Sequence, residues 1–108
     1  MKTHSIRSSH MLFALLTSIL ALSACCDSKS LPVAMQNLYS AQPSERNQAA
    51  LELARCGADA ERAVPRLAQL LYDPNVGVQS AAAYALRKID TESARNVLDQ
   101  AMARKRAR

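Results

Sequence analysis

Cysteines are the residues of this chain whose chemistry depends most on where they stand. Cys25 and Cys26 are adjacent, and Cys56 follows well after them. A thiol can accept a lipid, form a disulfide in an oxidising compartment, or pack as a small apolar side chain. The elements around each cysteine decide which of these applies.

Other groups for catalysis or ligand binding are scarce. Both histidines, His4 and His10, precede Cys25, so the rest of the chain offers no imidazole as a general base or metal ligand. The two glycines, Gly57 and Gly77, are too few for a phosphate-binding loop. The carboxylates are scattered singly. We therefore expect a protein that is not an enzyme and that holds no metal or cofactor.

Residues 1–24 have the pattern of a removable export signal. Lys2 and Arg7 give a positive start, and an apolar stretch follows over residues 11–22, too short to span a bilayer comfortably. Residues 22–25, Leu-Ser-Ala-Cys, resemble the bacterial lipobox, in which the cysteine receives a diacylglycerol and is then acylated on its new amino group. The resemblance implies a lipid on Cys25, and two or three acyl chains hold a protein firmly to a membrane.

Alternatives remain at this junction. Cys26 would have Ser23 where the lipobox has leucine, so Cys25 fits better. An ordinary secretory signal or an uncleaved short anchor are the other interpretations. In Gram-negative lipoproteins an aspartate directly after the lipidated cysteine favours the inner membrane. Because Asp27 stands one position later, the resemblance favours the periplasmic side of the outer membrane over the inner one.

Positive charge is concentrated at the end of the chain. Without Lys2 and Arg7, 12 of the 14 basic residues remain against 9 acidic ones, a net charge of +3. Four of the 12 form a basic tail over residues 104–108: Arg104, Lys105, Arg106 and Arg108. This distribution argues against a nucleic-acid-binding face. The tail is either a contact for anionic lipid or a solvated helix end whose charge suits the helix dipole.

From residue 31 onward the apolar pattern is helical and repeats at a fixed offset. Leu38-Tyr39 matches Leu71-Tyr72, and further pairs follow the same offset. Two units of two helices each, residues 31–57 and 61–90, and one further helix give about five helices. We therefore divide the chain into a signal (1–24), a lipidated cysteine with a polar tether (25–30), a repeat domain (31–103) and the basic tail (104–108).

Residues 73–90, Asp-Pro-Asn-Val-Gly-Val-Gln-Ser-Ala-Ala-Ala-Tyr-Ala-Leu-Arg-Lys-Ile-Asp, resemble a HEAT repeat of the short bacterial, lyase HEAT-like type. The resemblance extends over about residues 31–102, more loosely in the first unit. It implies an all-α fold, a short α-solenoid that stacks two and a half helical pairs. In such repeats an aspartate and an arginine form a ladder between neighbouring units. Here only Arg46 and Asp73 can form a rung.

Local signals predict where the helices begin and end. Ser44 and Asp73 are predicted N-caps, and the last helix is predicted to start near Thr91. Gly57 is predicted to end the second helix. Cys56 matches Ile89 in the repeat, so its favoured interpretation is a buried apolar side chain. The alternative is a disulfide with Cys26, which would clamp the tether to the first repeat.

The resemblance also implies where a partner would bind, because second helices line the concave surface of HEAT solenoids. The candidate partner face on the fourth helix comprises Gln79, Ser80, Tyr84, Arg87 and Lys88. We predict a membrane-anchored, non-catalytic protein-interaction module of the cell envelope, whose partner is an envelope protein. Self-association is an alternative, since about three repeats are usually needed for stable stacking. Two other functions remain open: an accessory role like that of chromophore-attaching lyase HEAT-like proteins, or envelope structuring through the basic tail.

Overall fold

Five α-helices and a 3-10 segment form the fold of residues 26–108, which are the residues described by the computed structural model. The predicted signal and Cys25 lie outside them. No strand occurs within residues 26–108. The elements are α1 Ser30–Asn37, α2 Pro43–Cys56, the 3-10 segment Gly57–Ala63, α3 Val64–Leu70, α4 Val76–Ile89 and α5 Glu92–Arg106.

The helices stack as an α-solenoid, which confirms the predicted fold class. Helices α2 and α4, the second helices of the two units, share the most extensive interface, and α1, α3 and α5 pack beside them. Alanines allow this close approach: Ala50 of α2 and Ala85 of α4 are both fully buried. The largest buried side chains form one apolar core: Leu38, Leu53, Leu67, Val78, Leu86 and Ile89.

The starts of α2 and α4 differ from the prediction. Helix α2 begins at Pro43, whose fixed φ suits a first turn, so Ser44 lies inside the helix and is not its N-cap. Helix α4 begins at Val76, and its N-cap is Asn75, not Asp73, because the Asn75 side chain accepts a hydrogen bond from the Val78 N–H at 3.1 Å. The carboxylate of Asp73 is engaged elsewhere.

Two other boundaries are confirmed. Helix α2 ends at Cys56 with Gly57 as its C-cap, and Gly57 has a φ of 57°, a backbone conformation that glycine adopts without strain. Thr91 is the N-cap of α5, since its Oγ1 accepts a hydrogen bond from the Ala94 N–H at 3.4 Å. Both follow from side-chain properties that act locally.

The segment predicted as a polar tether belongs to the folded domain from Cys26 onward. The Asp27 carboxylate accepts hydrogen bonds from the N–H groups of Lys29 and Ser30, and Ser30 Oγ accepts one from the Asp27 N–H at 3.2 Å. The backbone hydrogen bond from Ser30 is the main cause that lowers the pKa of Asp27. This reciprocal arrangement caps α1 and orders the residues that precede it.

Candidate functional site

The predicted rung between the units is present. Arg46 holds the carboxylate of Asp73 with two hydrogen bonds, Nε to Oδ2 at 2.9 Å and Nη2 to Oδ1 at 3.0 Å. The two side chains are only 12% and 5% exposed. Arg46 Nη1 also donates to the carbonyl oxygens of Ser40 and Ala41. One guanidinium therefore fixes the loop of its own unit and the first loop of the next.

The ion pair changes the proton affinity of the aspartate. The hydrogen bonds from Arg46 lower the pKa of Asp73, against the opposing effect of burial, and the Asn75 N–H lowers it further. The carboxylate is therefore charged at neutral pH and completes the hydrogen bonding of this loop.

Gln79, predicted to belong to the partner face, has a structural role. Its Nε2 donates to the carbonyl oxygen of Asp73 at 2.6 Å. At the repeat offset this matches the bond from Arg46 to Ser40 in unit one. Gln79 is half-buried, and its side chain is hydrogen-bonded to its own loop. We therefore remove it from the candidate partner face.

A groove runs between the second helices of the two units. It has a volume of about 470 Å³ and is lined by Leu51, Ala54 and Arg55 of α2 with Tyr84 and Lys88 of α4. The ammonium of Lys88 lies 5.6 Å from the centre of the Tyr84 ring. The sequence predicted Tyr84 and Lys88 but missed the α2 side. The repeat offset could have identified the α2 residues of the groove, because Leu51 matches Tyr84 and Arg55 matches Lys88.

The other two predicted partner residues lie beside the groove. Ser80 and Arg87 are exposed on α4 and do not line it. At the repeat offset, Arg87 takes the place of Ala54, a small residue that is only 6% exposed against α4. The structure therefore divides the predicted face: two residues form a groove with α2, two are free on α4, and one holds a loop.

A disulfide joins Cys26 to Cys56, and the two Cα atoms are 5.0 Å apart. Cys56 is half-buried and bonded, which corrects its favoured interpretation as a buried apolar side chain. Cys56 is the last residue of α2 and follows Arg55 directly. A Cβ at Gly57 would lie 3.8 Å from the carbonyl oxygen of Lys88, so α2 and α4 end side by side. The disulfide thus lies at the same helix ends as the two cations of the groove.

A second tie between the units was not predicted. Arg66 of α3 donates from Nε and Nη2 to the carbonyl oxygen of Leu38, at 3.2 and 3.1 Å. Its guanidinium also lies 4.4 Å from the centre of the exposed Tyr39 ring. No local pattern marks Arg66, because its partners come from the preceding unit.

The basic residues near the end of the chain are exposed, and most belong to α5. The helix continues to Arg106, so the predicted tail of residues 104–108 is largely its last turn. Positive charge there is favourable for the helix dipole. Whether lipid contacts these residues stays a prediction.

Residues 26–108 give no structural sign of a metal centre or a membrane span. Among these residues no group of three or more histidine, cysteine and acidic side chains is placed to hold a metal ion. In the same range no helix combines the length and hydrophobicity needed to cross a bilayer.

With the stacked pairs and the rung in place, the fold defines the class of protein. Residues 31–108 match the protein family described as HEAT repeats. The chain belongs to the HEAT-repeat family, whose helical repeats suggest a protein-interaction module. No match was found among curated proteins or among solved structures.

Proposed function

We propose that this protein is a non-catalytic interaction module, held by lipid on Cys25 to the periplasmic side of the cell envelope. The observation that carries the proposal is the Cys26–Cys56 disulfide beside the predicted lipidation site. Disulfides persist in oxidising compartments such as the periplasm and are rare in the cytosol. The lipobox resemblance and the disulfide point independently to export.

The number of possible disulfide pairings among the three cysteines also supports this assignment. Three cysteines in an oxidising compartment have three pairings, and a permanent lipid on Cys25 would remove two of them. Cys26 and Cys56 are then left as the single pair, which is the pair that the fold joins. Lipidation would thus protect the domain from mispairing.

The proposed partner is an envelope protein that contacts the exposed side of α4. Ser80 and Arg87 are exposed there without a structural task among the described contacts. Arginine is enriched at the energetically important positions of interfaces. The placement of Asp27 directly after Cys26, and not directly after Cys25, keeps the outer membrane as the preferred location.

The anchor is tested by intact-mass spectrometry of protein purified from bacterial membranes. We expect the native chain to lack residues 1–24 and to carry a diacylglycerol and an amide-linked acyl group on Cys25. Cys25→Ser should remain unlipidated, whereas Cys26→Ser, the matched control, should keep the lipid. A full-length native chain, or lipid on Cys26, would refute the assignment to Cys25.

The partner is tested by replacing Ser80 or Arg87 with a photo-reactive amino acid in living cells. We expect one and the same envelope protein to be cross-linked at both sites. Gln100, an exposed residue of α5, is the control site and should give no such product. Equal cross-linking at all three sites would argue against a partner surface on α4.

A further inference from the structure

We infer that the groove between α2 and α4 binds the headgroup of an anionic phospholipid in the membrane to which the chain is anchored. The groove is the one lined by Leu51, Ala54, Arg55, Tyr84 and Lys88. The inference rests on the proposed anchor for its location, and it assigns to the groove a lipid instead of the protein partner expected at Tyr84 and Lys88.

The chemistry of the groove fits a phosphate diester attached to an apolar stem. Two of its lining residues are cations, and none of the described residues that line it is acidic. The Arg55 guanidinium presents a planar pair of donors that matches phosphate oxygens, and Lys88 adds a point charge. Leu51 and Tyr84, 37% and 42% exposed, give an apolar wall for the glycerol and the first acyl carbons.

The size of the groove suits one headgroup. A volume of about 470 Å³ falls within the range of small-molecule sites. The exposed apolar area is also split between two helices, with the cations at one end. This asymmetry matches a ligand that is charged at one end and apolar at the other.

The position of the disulfide favours a membrane lipid over an acidic peptide as the ligand of the groove. A lipid on Cys25 would be one peptide bond from Cys26, which is fixed to the end of α2 next to Arg55. No flexible linker therefore lies between the lipidated residue and the groove. The membrane surface is then held permanently beside the two cations, at a high effective concentration.

The test uses the full chain, purified from membranes and reconstituted into vesicles that contain a photoactivatable phospholipid. Phosphatidylglycerol is compared with phosphatidylcholine, and cross-linked peptides are mapped by mass spectrometry. We expect phosphatidylglycerol to label peptides that contain residues 51–55 or 84–88. Phosphatidylcholine has the same phosphate diester, but its positively charged choline would be repelled by Arg55 and Lys88, so it should label these peptides about tenfold less.

Matched variants separate the groove from positive charge in general. Arg55→Gln/Lys88→Gln should reduce the groove labelling by phosphatidylglycerol about tenfold. Arg104→Gln/Lys105→Gln removes the same charge from the end of α5 and should leave the labelling unchanged. Equal loss in both variants, or no loss in the first, would overturn the inference.

The same digest distinguishes this inference from the proposed anchor. A lipidated Cys25 with an unlabelled groove overturns the inference and leaves the anchor standing. A labelled groove on a chain without lipid supports the groove and refutes the anchor. An unlabelled groove in which a photo-reactive residue at Leu51 captures one envelope protein would assign the groove to a protein partner instead.

A further variant tests the role of the disulfide. Cys26→Ser/Cys56→Ser keeps Cys25 and the groove residues but releases the start of the domain from α2. With folding verified by circular dichroism, groove labelling should fall severalfold at low phosphatidylglycerol content. Unchanged labelling would refute the contribution of the clamp to lipid binding.

Discussion

The solenoid has two junctions, and they are built differently. At the first junction, between units one and two, Arg46 holds Asp73 and Arg66 holds the carbonyl oxygen of Leu38. At the second, between unit two and α5, the matching positions of the repeat hold Gln79 and Asp99. The side chain of Gln79 donates only to its own loop, and the side chain of Asp99 has no N–H group to donate to the corresponding carbonyl oxygen.

Two residues of unit one are also more deeply buried than the matching residues of unit two. Leu38 is 1% exposed and Ala50 is fully buried, but their equivalents in unit two, Leu71 and Ala83, are only half-buried. Helix α5 has a single fully buried residue, Ala94. The comparison shows that a repeat pattern sets which surfaces meet, while a few long polar side chains decide how firmly the units are joined.

Removing the disulfide, which lies in the unit with the firmer junction, should cause the largest loss of stability. The bond closes a loop with a sequence separation of 30, which corresponds to about 3.5 kcal/mol of unfolding free energy. Cys26→Ser/Cys56→Ser should lose this amount in urea denaturation, and Cys25→Ser, the control, should not. A loss equal to that of the control would mean that the bond does not contribute to stability.

Asp73→Ala should be nearly as costly, since it leaves the Arg46 guanidinium partly buried without its carboxylate. We expect a loss of about 3 kcal/mol in unfolding free energy. In a double-mutant cycle with Arg46→Ala, the two losses should be strongly non-additive. Additive losses would show that the rung does not couple the units.

The same aspartate predicts how stability depends on pH. Its pKa is lower in the folded than in the unfolded state, because Arg46 donates to the charged carboxylate. The stabilisation is therefore complete above the unfolded pKa of about 3.9 and is lost as the pH falls below it towards the folded pKa. Urea denaturation of Asp73→Asn should show a smaller decrease in stability than the native protein as the pH falls from about 5 to about 3. An equal decrease would contradict the assignment.

Arg66→Ala tests the second tie of the first junction. Loss of two hydrogen bonds to the Leu38 carbonyl and of the contact with the Tyr39 ring should cost about 1–2 kcal/mol. Arg62→Ala, an exposed arginine of the 3-10 segment, should change stability by less than about 0.5 kcal/mol. Equal effects of the two substitutions would mean that the observed contacts of Arg66 add nothing.

The smallest expected effect concerns the second junction. Thr91→Ala removes the N-cap of α5 and should cost about 1 kcal/mol, confined to that helix. Hydrogen exchange should show that α5 amides already exchange faster than those of α2 and α4 in the native chain, and faster still in the variant. Equal protection of all three helices would remove the contrast between the junctions.

Much of the fold was determined by short stretches of sequence. The fixed repeat offset and the helical spacing of leucine and alanine predicted five helices in stacked pairs, and Gly57 and Thr91 marked their ends, because these effects act within a few residues. The Arg46–Asp73 rung was also predicted, since the HEAT resemblance indicated which positions meet. Ser44 and Asp73 were wrongly predicted as caps, because α2 already begins at Pro43 and because Asn75 caps α4.

Only the tertiary structure decided which residues form the groove and how the domain begins. Leu51 and Arg55 of α2 meet Tyr84 and Lys88 of α4 because two helices distant in sequence pack side by side, and no local pattern specifies that contact. Likewise, spacing cannot reveal a disulfide: Cys26 pairs with Cys56 because the capped start of α1 brings it to the end of α2. Local propensities act between residues that are close in sequence, but a binding surface depends on the distances between residues that are far apart in sequence.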